Sequence, residues 1–160
     1  MSQYALSLPL APVFSEDNFY VSGCNRDAYG WATRWPDWPS HALLLYGPKG
    51  AGKTHLGHIW ATRAHATICE TLVSPDALRG HTLIKNIDRV QDERKLLHVL
   101  NYSAEQRHAL LLTTSLPPAQ LPFTLPDLTS RLKALTAVGI AAPDDEALSA
   151  ALRKGDSVPR

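Results

Sequence analysis

Apolar residues gather along this chain into five strand-sized runs: His41–Tyr46, Thr67–Val73, Thr82–Ile87, Ala109–Thr114 and Leu135–Ala141. Between most of them the spacing changes to the helical period, over residues 53–64 and 91–107. A further helix is expected around Arg26–Trp35, where Trp31 and Trp35 share one face for burial on the sheet. The link from the second run to the third, Ser74–His81, is unusually brief. Strands that alternate with helices predict an α/β fold with a five-stranded parallel sheet flanked by helices. Ahead of it, residues 1–13 carry Leu6, Leu8 and Leu10 among Pro9 and Pro12 and read as an extended arm. Trp35-Pro-Asp-Trp-Pro-Ser40 is a Pro-broken connection into the first strand. The expected organisation is an arm over 1–13, an α/β core over 14–141 and a tail over 142–160.

The first strand run ends in Gly47-Pro48-Lys49-Gly50-Ala51-Gly52-Lys53-Thr54, which fills every fixed position of the nucleotide-phosphate loop G-x-x-x-x-G-K-S/T. An apolar run before it and a helical run after it supply the strand–loop–helix context the motif requires. Gly47, Gly50 and Gly52 let the backbone turn its N–H groups inward toward phosphate oxygens. The helix start at Lys53 adds the positive end of its dipole. The Lys53 ammonium is suited to the β/γ-phosphates and the Thr54 hydroxyl to Mg²⁺. These residues point to ADP or ATP as the ligand, with Mg²⁺ as a possible companion.

A phosphate-loop ATPase also needs an acid at the end of its third strand. Here Lys85 and Asn86 stand at the expected positions, and Asp88 comes two to three residues late. Strand residues two apart share a face and adjacent ones do not, so Asp88 substitutes only if the strand end bends. Two readings stay open: a nucleotide binder with crippled hydrolysis and a Lys beside the metal position, or a working site with Asp88 as its acid. Thr114, closing the fourth strand, is placed to meet a γ-phosphate or an attacking water. In Leu125-Pro-Asp127-Leu-Thr-Ser130-Arg131-Leu132, Asp127 is a candidate helix N-cap. Arg131 is either a finger for a neighbour's nucleotide or an ion-pair partner of Asp127.

The 160 residues suffice for one domain with its own core. A net charge of +1 gives no electrostatic reason for strong nonspecific DNA binding. Cys24 and Cys69 have no metal-ligand spacing and are expected as reduced thiols. No apolar run is long enough for a membrane span, and a cytoplasmic protein is the expectation. His55 and His58 lie three apart on one helical face without a third ligand, so Thr54 is the one metal-binding candidate.

Four segments, in order, resemble the bacterial DnaA family of AAA+ replication proteins. Phe14-Ser-Glu-Asp-Asn18-Phe19-Tyr-Val21-Ser-Gly23-Cys-Asn25 is similar to the family's F-x-x-x-N-F-V-x-G-x-x-N segment, with Tyr20 as an extra residue. Gly47–Leu56 resembles its G-x-x-G-x-G-K-T-H-L loop, His55 included. Thr113–Pro118 resembles its T-S-x-x-P-P sensor 1, with Thr114 at the Ser position, and Ser130-Arg131-Leu132 its S-R-L box. The resemblance implies an AAA+ phosphate-loop core in which Asn18, Phe19 and Val21 line an adenine pocket. It also implies that Arg131 contacts a partner's nucleotide. Within the family the nearer likeness is to Hda-like regulatory proteins, which lack the DNA-binding domain. They begin with a sliding-clamp peptide Q-L-x-L-P-L, here Ala5-Leu6-Ser7-Leu8-Pro9-Leu10. The expected partners are therefore the DnaA initiator and the sliding clamp, with oligomers possible and no sequence-specific DNA binding. The segment between the helix over 53–64 and the third strand run is short and leaves no room for the helices that the initiator uses on single-stranded DNA. Residues 142–160 resemble only the first helix of an AAA+ lid, so an incomplete lid is expected. Outside this reading stand a self-sufficient ATPase and a degenerate interaction module that binds no nucleotide.

Overall fold

The computed structural model describes residues 14–142. The clamp-peptide leucines Leu6, Leu8 and Leu10, and the lid segment beyond residue 142, lie outside the described residues. Five strands form one sheet: β1 (Ala42–Tyr46), β2 (Thr67–Cys69), β3 (Thr82–Ile84), β4 (Leu110–Thr114) and β5 (Thr136–Gly139). Every pairing is parallel and the order is β2-β3-β4-β1-β5. Among the described residues four α-helices accompany them: α1 (Arg26–Arg34), α2 (Lys53–Ala64), α3 (Glu93–Gln106) and α4 (Pro126–Ala134).

Both faces of the sheet are covered, which is why its central strands are apolar without alternation. Leu43, Leu45, Leu83 and Leu111 face the layer of α1 and α2, where they meet Leu56, Ile59 and Trp60. Leu44, Ile84, Leu110 and Leu112 face α3 and α4, where they meet Leu96, Val99, Leu128 and Leu132. Each buried Leu contributes about 1.5–3 kcal/mol by leaving water. The chain leaves β1 for α2 on one face and leaves β4 for α4 on the other. The crevice between the ends of β1 and β4 is therefore where an open α/β sheet binds ligands.

Several boundaries are shorter than the apolar runs suggest. β2 stops at Cys69 and β3 at Ile84; after a last bond from the Lys85 N–H to the Cys69 carbonyl at 3.1 Å, the left-handed Asn86 turns the chain out of β3. α2 and α3 end at His65 and Arg107, both left-handed at φ 54° and 59° with no glycine to signal the turn. Ala66 and His108 close these ends by donating N–H bonds to the carbonyls of Ala61 (2.9 Å) and Ser103 (2.8 Å). α1 ends at Arg34, so Trp35 is its C-cap rather than part of its buried face. Trp35 and Trp38 instead pack on the buried Trp60, edge-on at 6.1 Å and stacked at 5.6 Å. α4 corrects the Asp127 cap: Pro126 opens the helix and Leu125 is the N-cap. Glu93 at the start of α3 accepts the N–H groups of Thr124 (2.9 Å) and Leu125 (2.8 Å), a tertiary contact with no local sequence signal.

Three histidines precede three neighbouring strands at the amino end of the sheet: His41 before β1, His81 before β3 and His108 before β4. Burial holds His41 and His81 below the ordinary imidazole value; the neighbouring charge of Arg131 deepens the effect at His41, and His108 at His81. His81 Nδ1 accepts the Ala109 N–H at 2.9 Å, a bond that a protonated ring cannot accept. Such groups bind fewer protons folded than unfolded. Their contribution is complete above the unfolded value near 6.5 and is lost as pH falls below it. Urea midpoints should therefore be lower at pH 5.5 than at pH 7.5, and His81→Gln should shrink the difference. Equal midpoints at the two pH values would remove these histidines as a source of acid sensitivity.

Candidate nucleotide-phosphate site

The loop 47–52 leaves β1 and enters α2 at the carboxyl edge of the sheet. Gly47 donates its N–H to the Thr114 carbonyl at 3.2 Å, tying the loop to the end of β4. Gly50 (φ +84°) and Gly52 (φ +106°) take the positive dihedrals that glycine alone adopts freely. Among the described residues no side chain caps α2, and its first turn holds no acid, so its positive end stays open to the loop. That donor set fits an anion such as a phosphate. Lys53 is buried, and its ammonium donates to the carbonyls of Gly47 and, at 3.1 Å, Pro48. Burial lowers its pKa and the charge of Asp88 works against that.

The β3 exit bends as a late acid requires. Asn86 is left-handed (57°, 53°) and donates its N–H to Thr113 Oγ1 at 3.0 Å. A single 3₁₀ turn, Ile87–Arg89, then carries Asp88 to the end of β4. There Asp88 accepts from the Ser115 hydroxyl at 2.7 Å and the Ser115 N–H at 3.4 Å. Burial pushes Asp88 up, but its bonds from Ser115, its own backbone and the Thr114 hydroxyl outweigh this and hold it below the usual carboxylate value. Thr114 is fully buried and its hydroxyl also closes a turn with Leu116. Lys85 turns the other way. Its ammonium pairs with Glu70 after β2 at 2.9 Å and borders a cavity of about 420 Å³ with Arg89 and Lys95. The structure thus brings Lys53, Thr114 and Asp88 to one edge and turns Lys85 toward the outer strand.

The leading segment covers the opposite flank of the loop. Phe19 is buried, stacks on Tyr29 at 5.6 Å and meets His55 edge-on at 5.0 Å. Its ring lies 3.8 Å from where a Cβ on Gly52 would stand. Val21 packs on the same core, and Asn18 lies in the 3₁₀ turn Glu16–Asn18 just before Phe19. His55 bonds the Ser15 carbonyl through Nε2 at 2.7 Å, which gives this residue a structural task. The extra residue Tyr20 is accommodated by Asn25, whose amide donates to the Tyr20 carbonyl at 3.0 Å and accepts the Ser22 N–H at 2.9 Å. Among the described residues, no three His, Cys, Asp or Glu side chains group as metal ligands. Thr54 Oγ1 and Asp88 remain the groups that would hold Mg²⁺ beside bound phosphates.

Arg131 is not brought to the loop. It is exposed on α4, and its charge reaches His41 at the start of β1, the end of that strand remote from the loop. Among the described residues its side chain forms no hydrogen bond or ion pair; the pairing with Asp127 is not made. Both line a cavity of about 260 Å³ with Asn101 and Ser130.

The α/β topology, the phosphate loop and the opposed strand ends have a match among solved structures. Domain III of the DnaA replication initiation protein from Thermotoga maritima superposes with a TM-score of 0.75 at 19% identity, covering 92% of this chain and 75% of that one. The fold is that of DnaA domain III. AMPPCP-bound DnaA from Aquifex aeolicus gives a TM-score of 0.67 at 19% identity over 82% of this chain and 51% of that one. DnaI gives 0.60 at 16% identity over 76% of this chain and 84% of that one. In sequence, the chromosomal replication initiator protein DnaA of Leifsonia xyli subsp. xyli is 27% identical across 88% of this chain. DnaA of Gluconobacter oxydans is 41% identical across 41% of it. The chain spans 37% and 15% of the lengths of these two relatives. No protein-family model matches the chain.

The loop's position depends on Gly47. A Cβ there would overlap the Ile140 carbonyl oxygen, a backbone atom fixed by the Ile140 N–H bond to Tyr46 at 2.8 Å. Gly47→Ala should cost about 1–3 kcal/mol of stability by overpacking. Gly23→Ala, which meets nothing within 4 Å, should stay within about 0.5 kcal/mol. Urea denaturation of both variants checks the contrast, and equal costs would remove Gly47's close approach as the cause.

Proposed function

We propose that this chain binds ADP or ATP through Gly47–His55 and acts in replication initiation as an Hda-like partner of DnaA, promoting hydrolysis of DnaA-bound ATP. The observation that carries the nucleotide reading is the loop itself: an uncapped helix start, two glycines at positive φ and a buried Lys53 on the DnaA domain III fold. The DnaA relatives and the AMPPCP-bound DnaA neighbour support a nucleotide in that place and replication initiation as its setting. Phosphates would accept from the loop N–H groups and Lys53, while Phe19 and Val21 would border the base.

The regulatory reading draws on two features. Between β2 and β3 the chain makes only one 3₁₀ turn, Pro75–Ala77, so the helices expected of an initiator there are replaced by a short link. Arg131 stands exposed and unpaired on the described surface, remote from its own loop, as a group that serves a neighbour's nucleotide must. Its planar guanidinium suits bidentate contact with phosphate oxygens. Docking of Leu6, Leu8 and Leu10 on the sliding clamp belongs to the same proposal and rests on the sequence of the arm alone.

A second reading, a self-sufficient ATPase, is favoured by Asp88. It stands across from Lys53, bonded to Ser115 and ionised at neutral pH, as an acid that organises Mg²⁺ must be. Steady-state hydrolysis that is insensitive to dilution and abolished by Asp88→Asn would favour it over the regulatory reading.

Calorimetry with ADP should show binding by the wild type and loss of most of it in Lys53→Ala, since the charge facing the phosphates is gone. Equal affinities would reject the loop as the site. Arg131→Ala should keep its fold and its own nucleotide. It should lose stimulation of DnaA-bound ATP hydrolysis on the order of a thousandfold, the scale of a trans-acting Arg. Undiminished stimulation would end the finger reading.

A further inference from the structure

Across the leading segment runs a three-residue latch that no phosphate chemistry requires. Glu16 accepts the Tyr29 hydroxyl at 2.6 Å. It also takes a two-pronged contact from Arg63, Nε to Oε1 at 3.1 Å and Nη2 to Oε2 at 2.7 Å. The hydrogen bonds from Arg63 and Tyr29 hold the Glu16 carboxyl below its usual value. Glu16 lies on the leading segment, Tyr29 on α1 and Arg63 on the last turn of α2. Three separate elements therefore meet at one carboxylate.

The latch adjoins the ring beside the loop. Tyr29 is the residue on which Phe19 stacks, and Phe19 is the aromatic nearest Gly52. Asp88 and Thr114 occupy the other flank of the loop. A nucleotide whose terminal phosphate faces Asp88 must therefore turn its base toward Phe19. With Glu16 bonded, Tyr29 and the segment carrying Phe19 are fixed against α2 from both sides. With that bond weakened, Phe19 keeps its apolar contacts but loses the charged tie that holds its backbone at this distance from the loop.

We propose that Glu16, with Arg63 and Tyr29, is a positioning group for the base of a bound nucleotide: it sets affinity for the base through Phe19 and leaves the phosphate subsite unaffected. This rests on the reading of the loop as a nucleotide site. Glu16 and Arg63 are partly exposed, with side-chain exposures of 38% and 42%, so solvent screens the pair and the effect is modest.

The test compares two probes, ADP and inorganic tripolyphosphate, by calorimetry on the full chain. Glu16→Gln should weaken ADP about fivefold, which is about 1 kcal/mol, and leave tripolyphosphate affinity and melting temperature nearly unchanged. Arg63→Gln should do the same from the other partner. The exchanged pair Glu16→Arg with Arg63→Glu should recover part of the ADP affinity. Undiminished ADP affinity in both single variants overturns the proposal. So does an equal loss for the two probes, because that marks a general loosening of the fold. If the wild type binds neither probe, the nucleotide reading fails and the latch falls with it. If the wild type binds tripolyphosphate but the variants match it for ADP, the nucleotide reading stands and only the latch fails.

Discussion

A buried ammonium has to be paid in hydrogen bonds and opposite charge, and at Lys53 that requirement organises the whole carboxyl edge of the sheet. Its proton is kept by the loop carbonyls of Gly47 and Pro48 and by the field of Asp88. To supply those carbonyls the chain must fold back on itself directly after β1, which demands the positive φ at Gly50 and Gly52. To supply the opposite charge the β3 exit must bend across to β4, which the left-handed Asn86 achieves. The left-handed backbone at Asn86 is unfavourable in isolation, and the charge that its bend brings toward Lys53 accounts for it.

The loop and its neighbours were legible because their signals are local. Three leucines in a row mark a strand covered on both faces, and the glycine spacing marks the loop. For that reason β1, α2 and β4 lie within a residue of where the pattern puts them. The strand ends were less legible. The apolar residues Leu72, Val73 and Ile87 continue the pattern of β2 and β3, yet they pack under α3 from the connections rather than in the ladder. Burial explains their apolarity as well as strand membership does, and periodicity cannot separate the two. The missing signals at His65 and Arg107 have a similar origin. There the backbone bonds from Ala66 to Ala61 and from His108 to Ser103 hold a non-glycine residue left-handed, and the sequence carries no glycine to announce it.

Side-chain partners over long sequence separations were the least legible. Glu16 and Arg63 are 47 residues apart, Glu93 and Leu125 are 32 apart, and Asp88 and Ser115 are 27 apart. Charged and hydroxylated residues at such positions are ordinary on a surface, so composition does not distinguish them. Only the strand order, which sets β4 beside both β3 and β1, makes Ser115 a neighbour of Asp88. Topology is thus a prerequisite for reading the site, and a motif search alone stops at the loop.

The two ends of the sheet solve opposite problems. At the carboxyl end the polar groups of the candidate site are engaged with one another: Asp88 with Ser115, Asn86 with Thr113, Lys53 with the loop. Among the described residues, His41 Nε2 and His108 Nδ1 at the amino end are buried without hydrogen-bond partners, as is the indole nitrogen of Trp60. Such atoms cost stability in proportion to their desolvation. The chain tolerates them there because the rings also carry packing, as in the edge-on contact of His108 with His81 at 6.4 Å and the stack of Trp60 on Trp38 at 5.6 Å. The consequence is an asymmetry in how the fold meets acid. Protonation at the amino end adds charge where no carboxylate stands among the named neighbours of His41 and His81. At the carboxyl end the hydrogen bonds to Asp88 favour its ionised form. The same sheet therefore keeps its candidate chemistry at the end that resists protonation and its acid-sensitive packing at the other.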